Sequence, residues 1–124
     1  MLGMVQPSSS AAEHDLHGSE RRPAGLATGP GHVVVYANPA FRTMFGDRAV
    51  GLPARETMLD LPHEAFSLLD DVLAQGRPLA RWVERPDGDW RLIAVPRRDP
   101  GTSEIYGVAF HLRARSDVPI VVAD

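Results

Sequence analysis

A chain of 124 residues, 44% hydrophobic, holds one globular core and no second one, and no apolar run nears the roughly 20 residues that cross a bilayer. With no cysteine, disulfide and thiolate chemistry are excluded, and no basic region followed by an apolar stretch marks a secretory leader. The net charge of −3 argues against broad attraction to nucleic acid or an anionic membrane, so the expectation is a cytoplasmic protein with no nucleic-acid and no membrane partner.

Residues 1–22 carry Ser8-Ser9-Ser10, scattered charges and few large apolar groups, which predicts a flexible tail or weak cap. Ala24–Thr28 reads as a first strand. Gly29-Pro30-Gly31 turns into a second strand, Val33–Ala37, whose branched and aromatic side chains suit a pleated surface. Asn38 is placed to cap a helix that Pro39 opens, with Phe41, Met44 and Phe45 on one face and Gly46 at its end. A polar connection follows, with one helical turn near Arg55–Met58. The next helix starts around Asp60 to Pro62 and runs to Gln75. Phe66, Leu69, Val72 and Leu73 recur at helical spacing there, while Asp70 and Asp71 face outward, and Gly76 and Pro78 stop it. Three strands close the domain: Leu79–Glu84, Trp90–Val95 and Ile105–Leu112. Arg85-Pro86-Asp87-Gly88-Asp89 and Asp99-Pro100-Gly101 form the turns between them, and such short connections favour antiparallel neighbours. The resulting division is a tail over 1–22, a domain over 23–115 and a second tail over 116–124.

In this order, Tyr36-Ala37-Asn38-Pro39-Ala40-Phe41, Phe45-Gly46 and Val50-Gly51-Leu52-Pro53 are followed by Leu73 with Gly76-Arg77-Pro78, Gly88-Asp89-Trp90-Arg91 and Gly107-Val108. From about Ala24 to Arg113 the chain therefore resembles PAS domains, small sensory and interaction modules. The resemblance implies an α+β fold: a five-stranded antiparallel sheet, short helices and one longer helix on one face, and a pocket between them. It also implies a non-enzymatic part of bacterial-type signal transduction. Flavin-photosensing and cinnamoyl-bearing members need a cysteine, which this chain lacks. Haem-binding members place an axial histidine in the long helix, whereas His63 falls in its first turn and Ala65 lies nearer that register. No cofactor is expected. Nothing after Leu112 resembles a kinase, cyclase or DNA-binding output, so a homodimer or a separate effector protein is expected to carry the response.

No catalytic constellation is legible. His14 and His17 lie three apart in a polar tail with no further ligand, and His63-Glu64 lacks the second histidine of a zinc-protease helix because Ser67 stands there, so no metal is expected. Asp60, His63 and Ser67 could form a nucleophile set only with a nucleophile turn and an oxyanion site, and neither is present. The alternative is a small cone-shaped isomerase or dehydratase using a pocket histidine, for which His32 or His111 would have to meet a buried carboxylate.

Two surfaces carry the functional expectation. Phe41, Phe45, Met58, Phe66, Leu69 and Phe110 are large apolar groups on facing elements and form the expected ligand pocket, suited to an apolar small molecule. By period two, Tyr106, Val108, Phe110 and Leu112 share one face of the last strand, and Ile105, Gly107, Ala109 and His111 the other. With Ile93 and Val95, the second face is too apolar to stand uncovered. Ile93, Val95, Ile105, Gly107 and Ala109 are the expected interface, covered by a second copy or by the N-terminal segment.

Overall fold

The strand-to-helix corner forms as its residues dictate. A computed structural model describes residues 22–115; both predicted tails, and with them His14 and His17, lie outside these apart from Arg22. Strands β1 (Ala24–Thr28) and β2 (Val33–Ala37) lead into helix α1 (Pro39–Phe45). Asn38 stands before α1 in extended conformation, and its Oδ1 accepts from the backbone N–H of Phe41 at 2.9 Å. The same oxygen accepts from the N–H of Ala24 in β1 at 3.0 Å, while Nδ2 donates to the carbonyl of Arg22 at 2.8 Å. One side chain thereby satisfies a helix terminus and fixes the start of β1.

A 3₁₀ turn at Ala54–Glu56 precedes helix α2 (His63–Gln75), which buries Ala65, Phe66, Leu68, Leu69 and Val72. Gly76 ends α2 in the left-handed conformation (φ 71°, ψ 27°) and donates its N–H to the Val72 carbonyl. Strands β3 (Leu79–Arg85), β4 (Gly88–Arg98) and β5 (Ile105–Ala114) complete one antiparallel sheet in the order β2-β1-β5-β4-β3. Both helices pack on one side of it. Val34, Phe41, Met58, Leu69, Leu92, Phe110 and Leu112 are fully buried between the layers, each contributing about 1.5–3 kcal/mol as apolar surface leaves water.

Cross-strand partners share a face, so the register fixes which side chains look outward. Tyr36, Leu26, Ala109 and Val95 form one outward row across β2, β1, β5 and β4. Ala24, His111, Ile93 and Ala80 form a second across β1, β5, β4 and β3.

One expectation about this face is corrected. Gly107 pairs with Arg97 but Ile105 with Arg98, so Tyr106 is the extra residue of a bulge. The bulge reverses the alternation below Gly107. Ile105 turns to the helix side, its Cδ1 lying 3.0 Å from where a Cβ on Gly76 would stand. Tyr106, expected inside, is 40% exposed. Gly107 is a backbone requirement rather than a contact surface, because any Cβ there would collide with the Ala27 carbonyl oxygen of β1.

Replacing Asn38 by Ala removes the cap and leaves the buried Ala24 amide without an acceptor. The expected loss is about 2–4 kcal/mol, read as a lowered denaturation midpoint; a loss under about 0.5 kcal/mol would show that the corner does not depend on this side chain.

Candidate functional site

The six expected pocket residues do converge, as packed core. Phe41, Met58, Leu69 and Phe110 are no more than 1% exposed and Phe66 is 5% exposed. The Phe41 ring centroid lies 4.7 Å from that of Phe45 and 5.9 Å from that of Phe110, both tilted. Phe45 also borders an open cleft of about 580 Å³ that Gly46–Leu52, Glu56 and Thr57 line with it. The other five belong to one buried apolar cluster between sheet and helices.

The outward rows are mixed, with Ala24 and Ala109 buried at 2% and 8% exposure. Val95 is 39% exposed, Ile93 and Leu26 are half-buried, and Trp82 at the β3 edge is 42% exposed. The guanidinium groups of Arg91 and Arg115 lie 5.6 and 5.4 Å from the Trp82 ring centre. His111 sits between Ala24 and Ile93 at the centre of the second row. Burial first, then the positive charges of Arg22 and Arg113, hold its imidazole below the usual value.

Three arrangements were not legible in the sequence. His32, 5% exposed and at positive φ (51°), places Nε2 2.7 Å from Asp70 Oδ1 on α2. Because a carboxylate only accepts, Nε2 carries the hydrogen, and Nδ1 is buried with no hydrogen-bond partner. This is the imidazole–carboxylate contact that the enzyme alternative requires. Asp70 is 55% exposed, however, so its carboxylate meets solvent while the contact joins the β1–β2 turn to α2.

Arg85 is the second. Its side chain, 9% exposed, bonds Asp60 at 2.8 Å and Asp87 at 3.0 Å, with the Phe45 and Trp90 rings 5.3 and 5.6 Å away. Asp60 is thereby committed. Ser67 does reach His63 Nε2 at 3.2 Å on the exposed face of α2, but without Asp60 no triad forms.

The third is a cleft of about 560 Å³ between residues 59–64 and the β3 edge, lined by Leu59, Asp60, Leu61, Pro62, Glu64, Arg81, Trp82, Val83 and Glu84. Among the described residues no group of three or more His, Cys, Asp or Glu could hold a metal ion, and no helix is long and apolar enough to cross a membrane.

No family model and no curated protein matches the chain. Solved structures do. An RNA-binding light-oxygen-voltage receptor aligns at TM-score 0.65 and 17% identity, over 93% of this chain and 36% of its own. The PAS domain of histidine kinase ThkA aligns at TM-score 0.61 and 17% identity, over 74% and 98%. VqmA of Vibrio cholerae, in complex with ligand and DNA, aligns at 0.63 and 21%, over 94% and 54%. The chain thus spans about a third of the first structure and about half of the last. Since one of these proteins binds RNA and another is held on DNA, the comparisons lend no support to excluding a nucleic-acid partner.

Two outcomes test the histidines. Asp70→Ala strips the buried Nε2–H of its acceptor and is expected to cost about 1–3 kcal/mol, with Asp70→Asn, which keeps a carbonyl acceptor, costing less; equal stability of Asp70→Ala and the parent, by chemical denaturation, contradicts the clamp. For His111 the folded-state pKa is lowered from 6.5. The unfolded chain therefore takes up the proton first, and stability is full above about pH 6.5 and falls as pH drops below it. His111→Gln should flatten that decline when midpoints at pH 7.5 and 5.5 are compared; an unchanged slope contradicts it.

Proposed function

This chain is a domain of the PAS fold, and we propose that it is a non-enzymatic sensory and protein-interaction module that signals through its outer sheet face. The observation that carries this reading is the pair of outward rows. Tyr36, Leu26, Ala109 and Val95, beside Ala24, His111, Ile93 and Ala80, make a continuous surface of small and apolar groups across the sheet. Strands whose two faces are both apolar need a second layer. A second copy of the chain is the proposed layer, with Ile93, Val95 and Ala109 at its centre and the arginines of β4 and β5 at its rim.

The proposed mechanism follows from where the strands lie. β5 contributes Val108, Phe110 and Leu112 to the core and Ala109 and His111 to the outer face. A shift in α1 or α2 that moves Phe41 or Leu69 must displace Phe110, and with it the outer surface of the same strand. An apolar small molecule acting from inside would have to part Phe41, Met58, Leu69 and Phe110, and its differential affinity for the parted state sets the size of the response. A separate effector reads the change.

The isomerase or dehydratase alternative rests on His32 and Asp70. Solvent, not an apolar cavity, faces Asp70, which favours the non-enzymatic reading.

Sedimentation velocity across a concentration series tests the interface. The parent chain is expected to sediment as a dimer, and Val95→Arg with Ile93→Glu as a monomer with an unchanged circular-dichroism spectrum. A parent monomer at every concentration, or a double variant that still dimerises, overturns the proposal.

A further inference from the structure

The outer face of the sheet is mostly apolar at its middle and cationic at one end. Side chains two apart on a strand share a face, so one more row follows that of Ala24, His111, Ile93 and Ala80. In it Trp82 of β3 stands opposite Arg91 of β4, and Arg91 opposite Arg113 of β5. Arg22, two residues before Ala24, continues the line, because the Leu112 N–H donates to the Pro23 carbonyl at 2.9 Å and keeps the two segments side by side. Neighbouring strands lie about 4.8 Å apart, so the line from Trp82 to Arg22 spans about 14 Å. Arg115 stands beyond it at the end of β5.

Like charges directly opposite on neighbouring strands repel, and an anion laid across them turns that repulsion into attraction. Arg91 makes no ion pair among the described residues; its guanidinium rests 5.6 Å from the Trp82 ring centre, with that of Arg115 at 5.4 Å. A guanidinium stacked on an indole keeps its N–H edge for a carboxylate or phosphate. Arg115 reaches Asp89 at 3.6 Å, with side chains 71% and 45% exposed, a pairing worth little and readily exchanged. The concentrated charge is felt in the next row, where burial and then Arg22 and Arg113 hold the His111 imidazole below its usual value. Acids limit the length of anion that fits. Glu84 and Asp89, registered opposite each other, close the row on the side of the β3–β4 hairpin, and the whole chain carries −3. A long polyanion would run into this negative field, whereas a few carboxylates would not.

We propose that the row of Trp82, Arg91 and Arg113, with Arg115, receives a short acidic segment of the separate effector protein. Its carboxylates bridge to Arg91 and Arg115, and a neighbouring apolar side chain rests on the Trp82 indole, which is 42% exposed. The inference rests on the reading of this domain as a module that hands its response to another protein, and it names the chemistry of that protein's contact. In an extended segment, side chains two apart share one side and lie about 7 Å apart. Arginines on neighbouring strands meet that distance by adjusting their flexible stems. The segment lies beside Ile93, Val95 and Ala109 and leaves them to the second copy. Phe110 and Leu112 are buried on β5, the strand that carries Arg113. A displacement of Phe110 therefore reaches the site along one strand.

Fluorescence anisotropy on the full chain tests it, with a short labelled peptide of alternating glutamate and serine around one central leucine as the probe. The peptide is expected to bind, more weakly as salt is raised, while its lysine counterpart does not bind and a single-stranded oligothymidylate binds less tightly. Arg91→Gln should weaken the acidic peptide about fivefold, and Arg91→Lys less. Arg115→Gln, at a side chain 71% exposed, and Trp82→Ala should act in the same direction. No binding of the acidic peptide overturns the proposal, as does equal binding by the parent and all these variants. Tighter binding of the oligothymidylate also overturns it and assigns the row to nucleic acid. Sedimentation reads the dimer separately. A monomeric parent that binds the peptide supports this site while overturning the dimer, and a dimeric parent that ignores the peptide does the reverse.

Discussion

The amide of Asn38 is the contact on which the arrangement turns. Its oxygen takes two backbone N–H groups, one at the start of α1 and one in β1, and its nitrogen gives a hydrogen to the chain just ahead of β1. Helix α1 is only seven residues long, too short to persist on its own. Held this way, it sets Phe41 against Phe110 and presses the β1–β2 hairpin closely on β5. The closeness has consequences in the glycines. A Cβ on Gly25 would meet the Tyr36 carbonyl at 2.9 Å and the Phe110 ring at 3.0 Å. The corner, the two glycines Gly25 and Gly107, and Phe110 are one packing solution.

That solution gathers the large apolar groups inside and leaves smaller ones on the outer face. Large side chains meet between sheet and helices, and polar groups of the helical side hold one another, Arg85 with Asp60 and Asp87, and His32 with Asp70. The sheet's outer face instead offers small and branched groups in register, edged by arginines around Trp82. β5 is the element that joins the two faces, because alternate residues of one strand serve both layers.

Much of this was readable from local signals. The bounds of β1, β2 and both helices follow from branched runs, the Asn-Pro pair and the stop glycines, each of which acts within a few residues. The side assigned to Ile105 and Tyr106 was not readable, since it depends on a bulge, and a bulge is a property of two strands' pairing. The clamp partners were hidden for a similar reason. His32 and Asp70 are 38 residues apart, and Arg85 and Asp60 are 25 apart, with nothing local to couple them. Arg85 read as part of a turn, and its burial comes only from the meeting of α1, the loop before α2 and the hairpin. The six expected pocket residues meet, but their role was not legible: large apolar groups on facing elements line a cavity or fill one, and their spacing is the same in both cases.

The most direct measurement is native mass spectrometry of the purified chain, followed by denaturing extraction. If the outer face of the sheet takes a second copy as proposed, the spectrum shows a species near 27 kDa, twice the 13.5 kDa of the chain. A lone 13.5 kDa species carrying a retained small molecule would contradict it, moving function from the surface to the interior.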